Sequence, residues 1–236
     1  HQERVGYLPE DRGLYRDVKI IDTLTYFGAL RGMPQKVARE KALSLMTEME
    51  LADAADKKAA ELSRGMHQKA QLIATILNDP ELLIIDEPFQ GLDPVNADIL
   101  KGVVLNQKER GAAVIMSTHD MGDAQALCDR ILLIDKGYRL LYGTVDQVRD
   151  AFSDGAVQVS GKGLPEASEQ LGSVTDAHEV DGAMRYLIRD DATPQDLFRE
   201  LASSGAEVEQ FAVQAPSLDE IFIRTVAGDP RAEAVR

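Results

Sequence analysis

The chain has 236 residues, 44% of them hydrophobic and 28% charged, which suits one large domain or one domain with an appendage. Its formal net charge of −14 argues against a broadly basic nucleic-acid binder, and no apolar run reaches the ~18–20 residues of a membrane helix. A single cysteine, Cys128, precludes an internal disulfide and fits a reducing compartment, and the opening residues lack the pattern of a secretory signal.

Arg4 to Leu8 reads as a short strand running into a loop with Pro9, Glu10, Asp11 and Gly13. Asp22 is expected to cap a helix through Leu30, stopped by Gly32, and Pro34 suits the first position of the next helix. Ala38, Ala42, Leu45, Met46 and Met49 follow at helical spacing, and Met66, Ala70, Ile73, Ala74 and Leu77 mark one face of a third helix. Leu82 to Asp86 and Ala112 to Met116 are continuous apolar runs and predict two buried strands. Between them, Asp93-Pro94 reads as the cap and first turn of a helix closed by Gly111. A short helix from Asp120 to Leu127 precedes a hairpin, Arg130 to Asp135 and Arg139 to Tyr142, around Lys136-Gly137. Thr144 is expected to cap a helix ending near Phe152.

This alternation predicts an α/β fold with a parallel sheet and helices on its faces. After Phe152 the pattern shifts to short strands (Ala156 to Val159, Met184 to Ile188, Val208 to Val213) and helices (Pro194 to Ser203, Leu218 to Val226), a small α+β domain. The expected division is therefore 1–152 and 153–236, with a helical subdomain at about residues 17–78.

Three segments carry chemistry. Asp86 and Glu87 end a buried strand, at the edge where open α/β sheets bind ligands. There Asp86 suits a hydrated magnesium ion, and Glu87 a water attacking a phosphoryl group. A polar turn would also end a strand this way, but two adjacent acids repel, which makes a purely structural role less comfortable. Leu62-Ser63-Arg64-Gly65-Met66 opens a helix, where free N–H groups and partial positive charge suit an anion; Ser63 equally suits a plain N-cap. Ser117-Thr118-His119-Asp120 follows the second strand, which brings His119 to the edge that holds Asp86 and Glu87.

These segments, in this order and with Gly91-Leu92-Asp93-Pro94 after the acids, resemble the ABC ATPase family over about Arg4 to Phe152. Ser63 to Met66 is similar to its signature motif, Ile84 to Glu87 to Walker B with the catalytic glutamate, Gly91 to Pro94 to the D-loop, His119 to the switch histidine, and Tyr7 to Glu10 to the Q-loop. The tail from Pro216 to Phe222 resembles the accessory domain of bacterial drug- and sodium-exporter ATPases. The resemblance thus implies a P-loop NTPase-type sheet, incomplete here, with a helical subdomain.

Glu87 and His119 would be catalytic, and Asp86 and Glu10 would hold magnesium. Ser63, Arg64, Gly65 and Met66 would contact ATP held by a second ATP-binding subunit in a head-to-tail dimer, through which Asp93 would couple the two sites. An integral membrane permease would be the other partner, nucleic acid would not be one, and the protein would sit in the cytoplasm against the inner face of the cell membrane.

The sequence departs from the family pattern at several positions. Glu10 replaces a glutamine and, when ionised, cannot donate a hydrogen bond. Arg64 replaces a glycine, Met66 a glutamine, and Gln90 a serine. No Gly-x-x-x-x-Gly-Lys-[Ser/Thr] phosphate loop occurs; because the family places it upstream of the Q-loop, the expectation is N-terminal truncation. Two alternatives stand beside an exporter ATPase: a non-catalytic ABC-like scaffold or regulator, and a soluble ABC ATPase outside transport.

Overall fold

The computed structural model describes residues 4–10, 13–153, 155–166, 171–180, 182–189 and 191–235. Asp11, expected in the loop after the first strand, lies outside the described residues. The chain divides into two compact units, His1–Asp120 and Met121–Arg236.

The first unit is built on a three-stranded parallel sheet of β1 (Val5–Leu8), β2 (Leu82–Asp86) and β3 (Ala113–Ser117), in that spatial order. The register sets Leu8 opposite Ile85 and Asp86 opposite Ser117, so all three strands release their chains at one edge. Helices α1 (Ile20–Leu30), α2 (Gln35–Glu48), α3 (Arg64–Ile76) and α4 (Pro94–Glu109) complete the unit. Helix α3 is the hub, touching α1, α2, α4 and β1. Leu24, Met46, Leu72, Ile73 and Leu83 lie fully or almost fully buried in this unit, each worth ~1.5–3 kcal/mol relative to exposure.

Three sequence expectations change here. Asp22 lies in the first turn of α1 rather than capping it; Lys19 is the N-cap residue, and Asp22 is placed where a carboxylate suits the helix dipole. Pro34 is the N-cap of α2, one residue before the helix. The second strand, expected to be buried, alternates exposed and half-buried residues, with Ile115 57% exposed. Its apolar run marks strand propensity, while burial depends on what packs on the faces of the sheet, and the exposed side chains of β3 meet little cover among the described residues.

The second unit begins with α5 (Met121–Leu127) and a hairpin of β4 (Arg130–Asp135) and β5 (Tyr138–Thr144). Lys136 and Gly137 both have positive φ, 48° and 82°, as a two-residue type I′ hairpin turn requires. Thr144 caps α6 (Val145–Ala151) with Gln147 completing a capping box. An antiparallel sheet follows, in the order β7 (Val174–Val180), β8 (Ala183–Ile188), β6 (Ala156–Lys162), β9 (Glu207–Val213), with helices α7 (Pro194–Ser204) and α8 (Leu218–Val226).

Two apolar clusters hold this unit. Val157, Val159, Met184, Tyr186, Leu197 and Leu201 pack the sheet against α7. Leu218 and Ile221 of α8 instead join Ala124, Leu141, Val148 and Phe152. Tyr186, fully buried, donates its hydroxyl to the Pro165 carbonyl at 2.8 Å, and burial pushes that hydroxyl's pKa up to about 12. Strand β7 was not foreseen: it lies at the sheet edge and carries Thr175, Asp176, His178 and Glu179, so it shows no apolar run.

Candidate active site

Strand β2 delivers Asp86 and Glu87 to the carboxyl edge of the sheet, and β3 delivers Ser117 beside them. Glu87 has left the strand conformation, with φ 44°, a left-handed value that costs a non-glycine residue on the order of 1–3 kcal/mol. Two contacts with one residue hold it there: the Glu87 N–H donates to the Ser117 carbonyl at 3.2 Å and to Ser117 Oγ at 3.3 Å. The same hydroxyl donates to Asp86 Oδ1, so Ser117 bridges the two acids. Sequence reasoning placed Ser117 in the segment but gave it no role. The register signal that finds it is its pairing opposite Asp86 on adjacent parallel strands.

His119 completes the cluster. Its Nδ1 lies 2.8 Å from Glu87 Oε1, with the histidine side chain 71% exposed and that of Glu87 18% exposed. The hydrogen bond and the negative charge of Glu87 raise the histidine pKa above its ordinary 6.5, with smaller contributions from the charges of Asp120 and Glu10.

Ser63, Arg64, Gly65 and Met66 lie in a second grouping, at the start of α3. Ser63 is the N-cap, and its Oγ accepts from the Met66 N–H at 3.3 Å. That leaves the hydroxyl proton available to an acceptor outside the helix. Gly65 faces Asn96, where an added side-chain carbon would stand 3.1 Å from Nδ2. Asp93 is the N-cap of α4; bonds from the Asn96 N–H, at 3.0 Å, and from the Asn96 side chain lower its pKa below the ordinary 3.8. Asn96 and Gln68, which donates to the Pro88 carbonyl at 3.1 Å, were also missed by the sequence reading.

The ABC transporter family model matches residues 1–90, and the C-terminal domain of DrrA1-3-like ATP-binding proteins matches residues 143–226. An uncharacterised ABC transporter ATP-binding protein of Alkalihalophilus pseudofirmus is 36% identical over 222 residues, covering 94% of this chain and 83% of the relative. The chain belongs to the ATP-binding proteins of ABC transporters. The daunorubicin resistance ATP-binding protein DrrA3 of Streptomyces coeruleorubidus is 29% identical over 237 residues, covering 97% of this chain and 74% of the relative. A solved ATP-binding subunit of an ABC transporter superposes with a TM-score of 0.59 at 30% identity, over 64% of this chain and 63% of that one.

ABC ATP-binding proteins act on a nucleotide, and the donor set can be tested against the magnesium ion such a nucleotide carries. Among the described residues no three His, Cys, Asp or Glu side chains are arranged to hold a metal by themselves. Asp86, with one oxygen engaged by Ser117, and Glu10 together offer few carboxylate ligands. That fits magnesium, which keeps several waters and takes further ligands from phosphate. No described helix is long and apolar enough to cross a membrane.

Proposed function

We propose that these residues belong to an ATP-hydrolysing subunit that powers export through a separate integral membrane permease. The observation that carries this reading is the Ser117-bridged pair Asp86 and Glu87 with His119 on the second acid, at the carboxyl edge of a parallel sheet. Glu87 orients and deprotonates the attacking water, and His119 holds the proton balance of that carboxylate and faces the γ-phosphate. Asp86 and Glu10 would hold the magnesium ion, which supplies charge neutralisation at the phosphates. Ser63, Arg64, Gly65 and Met66 are read as contacts to ATP bound by a second copy in a head-to-tail dimer, and Asp93 as the link between the two sites.

The matched C-terminal family and the name of the Streptomyces relative support the exporter assignment. In this reading the ATPase domain spans 1–152, its helical subdomain at about residues 17–78 faces the permease, and 153–236 is an accessory domain. The protein then works in the cytoplasm at the inner face of the cell membrane.

The test is steady-state phosphate release by a protein that joins these residues to a phosphate loop. Glu87→Gln should slow it by roughly 10²–10⁴-fold, the scale for losing a general base. A Glu87→Gln protein turning over at the parental rate would sink the assignment of Glu87, and a parent that binds but never hydrolyses ATP would favour the scaffold reading.

A further inference from the structure

The loop that follows Glu87 is fastened from outside the carboxylate cluster. Gln68 donates from Nε2 to the Pro88 carbonyl at 3.1 Å. Arg64, one helical turn earlier on the same face of α3, lays its guanidinium over Gly91. Gly91 has φ 66°, which favours glycine, and a side-chain carbon built there would overlap Nη1, Cζ and Nη2 of Arg64, so the guanidinium could keep this seat only over a glycine.

Between these two points the loop carries its own bonds, Gln90 N–H to the Glu87 carbonyl at 3.3 Å and Leu92 N–H to the Phe89 carbonyl at 3.2 Å. Arg64 has no ion-pair partner among the described residues of a chain with net charge −14, and it stands at a helix N-terminus, where a cation is disfavoured. No ion pair among the described residues holds the guanidinium, and it rests on Gly91 instead.

We infer that Arg64 and Gln68 form a two-point clamp that ties the first turn of α3 to the loop after Glu87, and that Arg64 is a positioning residue for that carboxylate. A shift of the α3 N-terminus is then passed along Pro88 to Gly91 into the left-handed backbone of Glu87, without passing through the sheet. The consequence for turnover rests on the ATPase reading; the clamp itself does not.

Amide hydrogen exchange on the full chain without nucleotide tests the clamp. Exchange at Gln90 and Leu92 should be about 3–10-fold faster in Arg64→Ala, and faster again in Arg64→Ala/Gln68→Ala, as expected for local opening. Ile73 and Ile76 in α3 should keep the parental rate, which separates local release from general unfolding. Gln90 and Leu92 rates within about twofold of the parent in the double variant overturn the clamp.

In a protein that carries the phosphate loop, Arg64→Ala should lower kcat by about 3–10-fold in addition to any rise in KM from its proposed ATP contact. A raised KM at constant kcat would make Arg64 a simple nucleotide contact and overturn its positioning role. A parent without ATP hydrolysis would remove the ATPase reading while the exchange result still decides the clamp.

Discussion

Both units of the chain pair polar residues on their surfaces, as Arg4 with Glu81 and Arg189 with Asp191, but the parallel sheet unit also gathers them at its strand ends. In the antiparallel sheet unit they close the structure on itself: Thr193 with Asp196 and Ser217 with Glu220 make capping boxes, while Arg189 pairs with Asp191 and Arg231 with Asp229. In the parallel sheet unit, Asp86, Glu87 and His119 converge at the strand ends, with Glu87 in a left-handed conformation where the chain leaves the strand for the turn closed by the Gln90 N–H. A backbone cost retained where polar side chains converge is common at catalytic sites, and that convergence, not the ion pairs that both units contain, sets the parallel sheet unit apart. Chemistry is therefore expected from one unit and stability from the other, and substitutions can separate the two.

The largest effect expected is the 10²–10⁴-fold loss of hydrolysis in Glu87→Gln, with the unfolding midpoint almost unmoved at a pH above the His119 titration, because the swap is isosteric. Its mirror image is Leu201→Ala, in the core beneath the second sheet. It should destabilise that unit by about 2–5 kcal/mol in urea unfolding, while hydrolysis per folded molecule stays at the parental value. If Leu201→Ala slowed turnover as Glu87→Gln does, the division of labour would be wrong. Ser117→Ala lies between them. It removes the hydroxyl that bridges both acids, and support of this kind usually carries about 10–100-fold in metal affinity or activity. The check is the magnesium dependence of phosphate release, whose midpoint should move to higher concentration.

Legibility followed the same division. The acids, the histidine and the turn at Lys136-Gly137 could be read because each depends on local sequence: a strand end, a strand exit, and a pair of residues able to take positive φ. Ser117 and Gln68 could not be given roles, because their importance lies in partners 31 and 20 residues away. Only the β2–β3 register and the approach of α3 to the loop create those partnerships. The exposure of β3 was hidden for a related reason. An apolar run reports what a strand prefers, while burial depends on neighbours. Ser63 and Asp93 suited both a cap and a ligand contact, and both prove to be caps, with the outward hydroxyl of Ser63 still free to donate.

The smallest effect is the most direct report on the cluster itself. The His119 pKa is raised because Glu87 accepts its Nδ1 proton and carries the opposite charge, with Asp120 and Glu10 adding to the field. A raised folded-state pKa means the pair contributes fully to stability below the unfolded value of about 6.5 and loses that contribution as pH rises through the folded value. The imidazole resonance of His119 should therefore titrate with a midpoint above 6.5. Glu87→Gln removes both leading causes and should bring the midpoint down towards the ordinary value, whereas Glu10→Gln removes only a distant charge and should move it less. Equal shifts from the two substitutions would mean that a diffuse negative field, rather than the 2.8 Å contact with Glu87, holds the proton on His119. The imidazole would then have no privileged link to the carboxylate assigned to the attacking water.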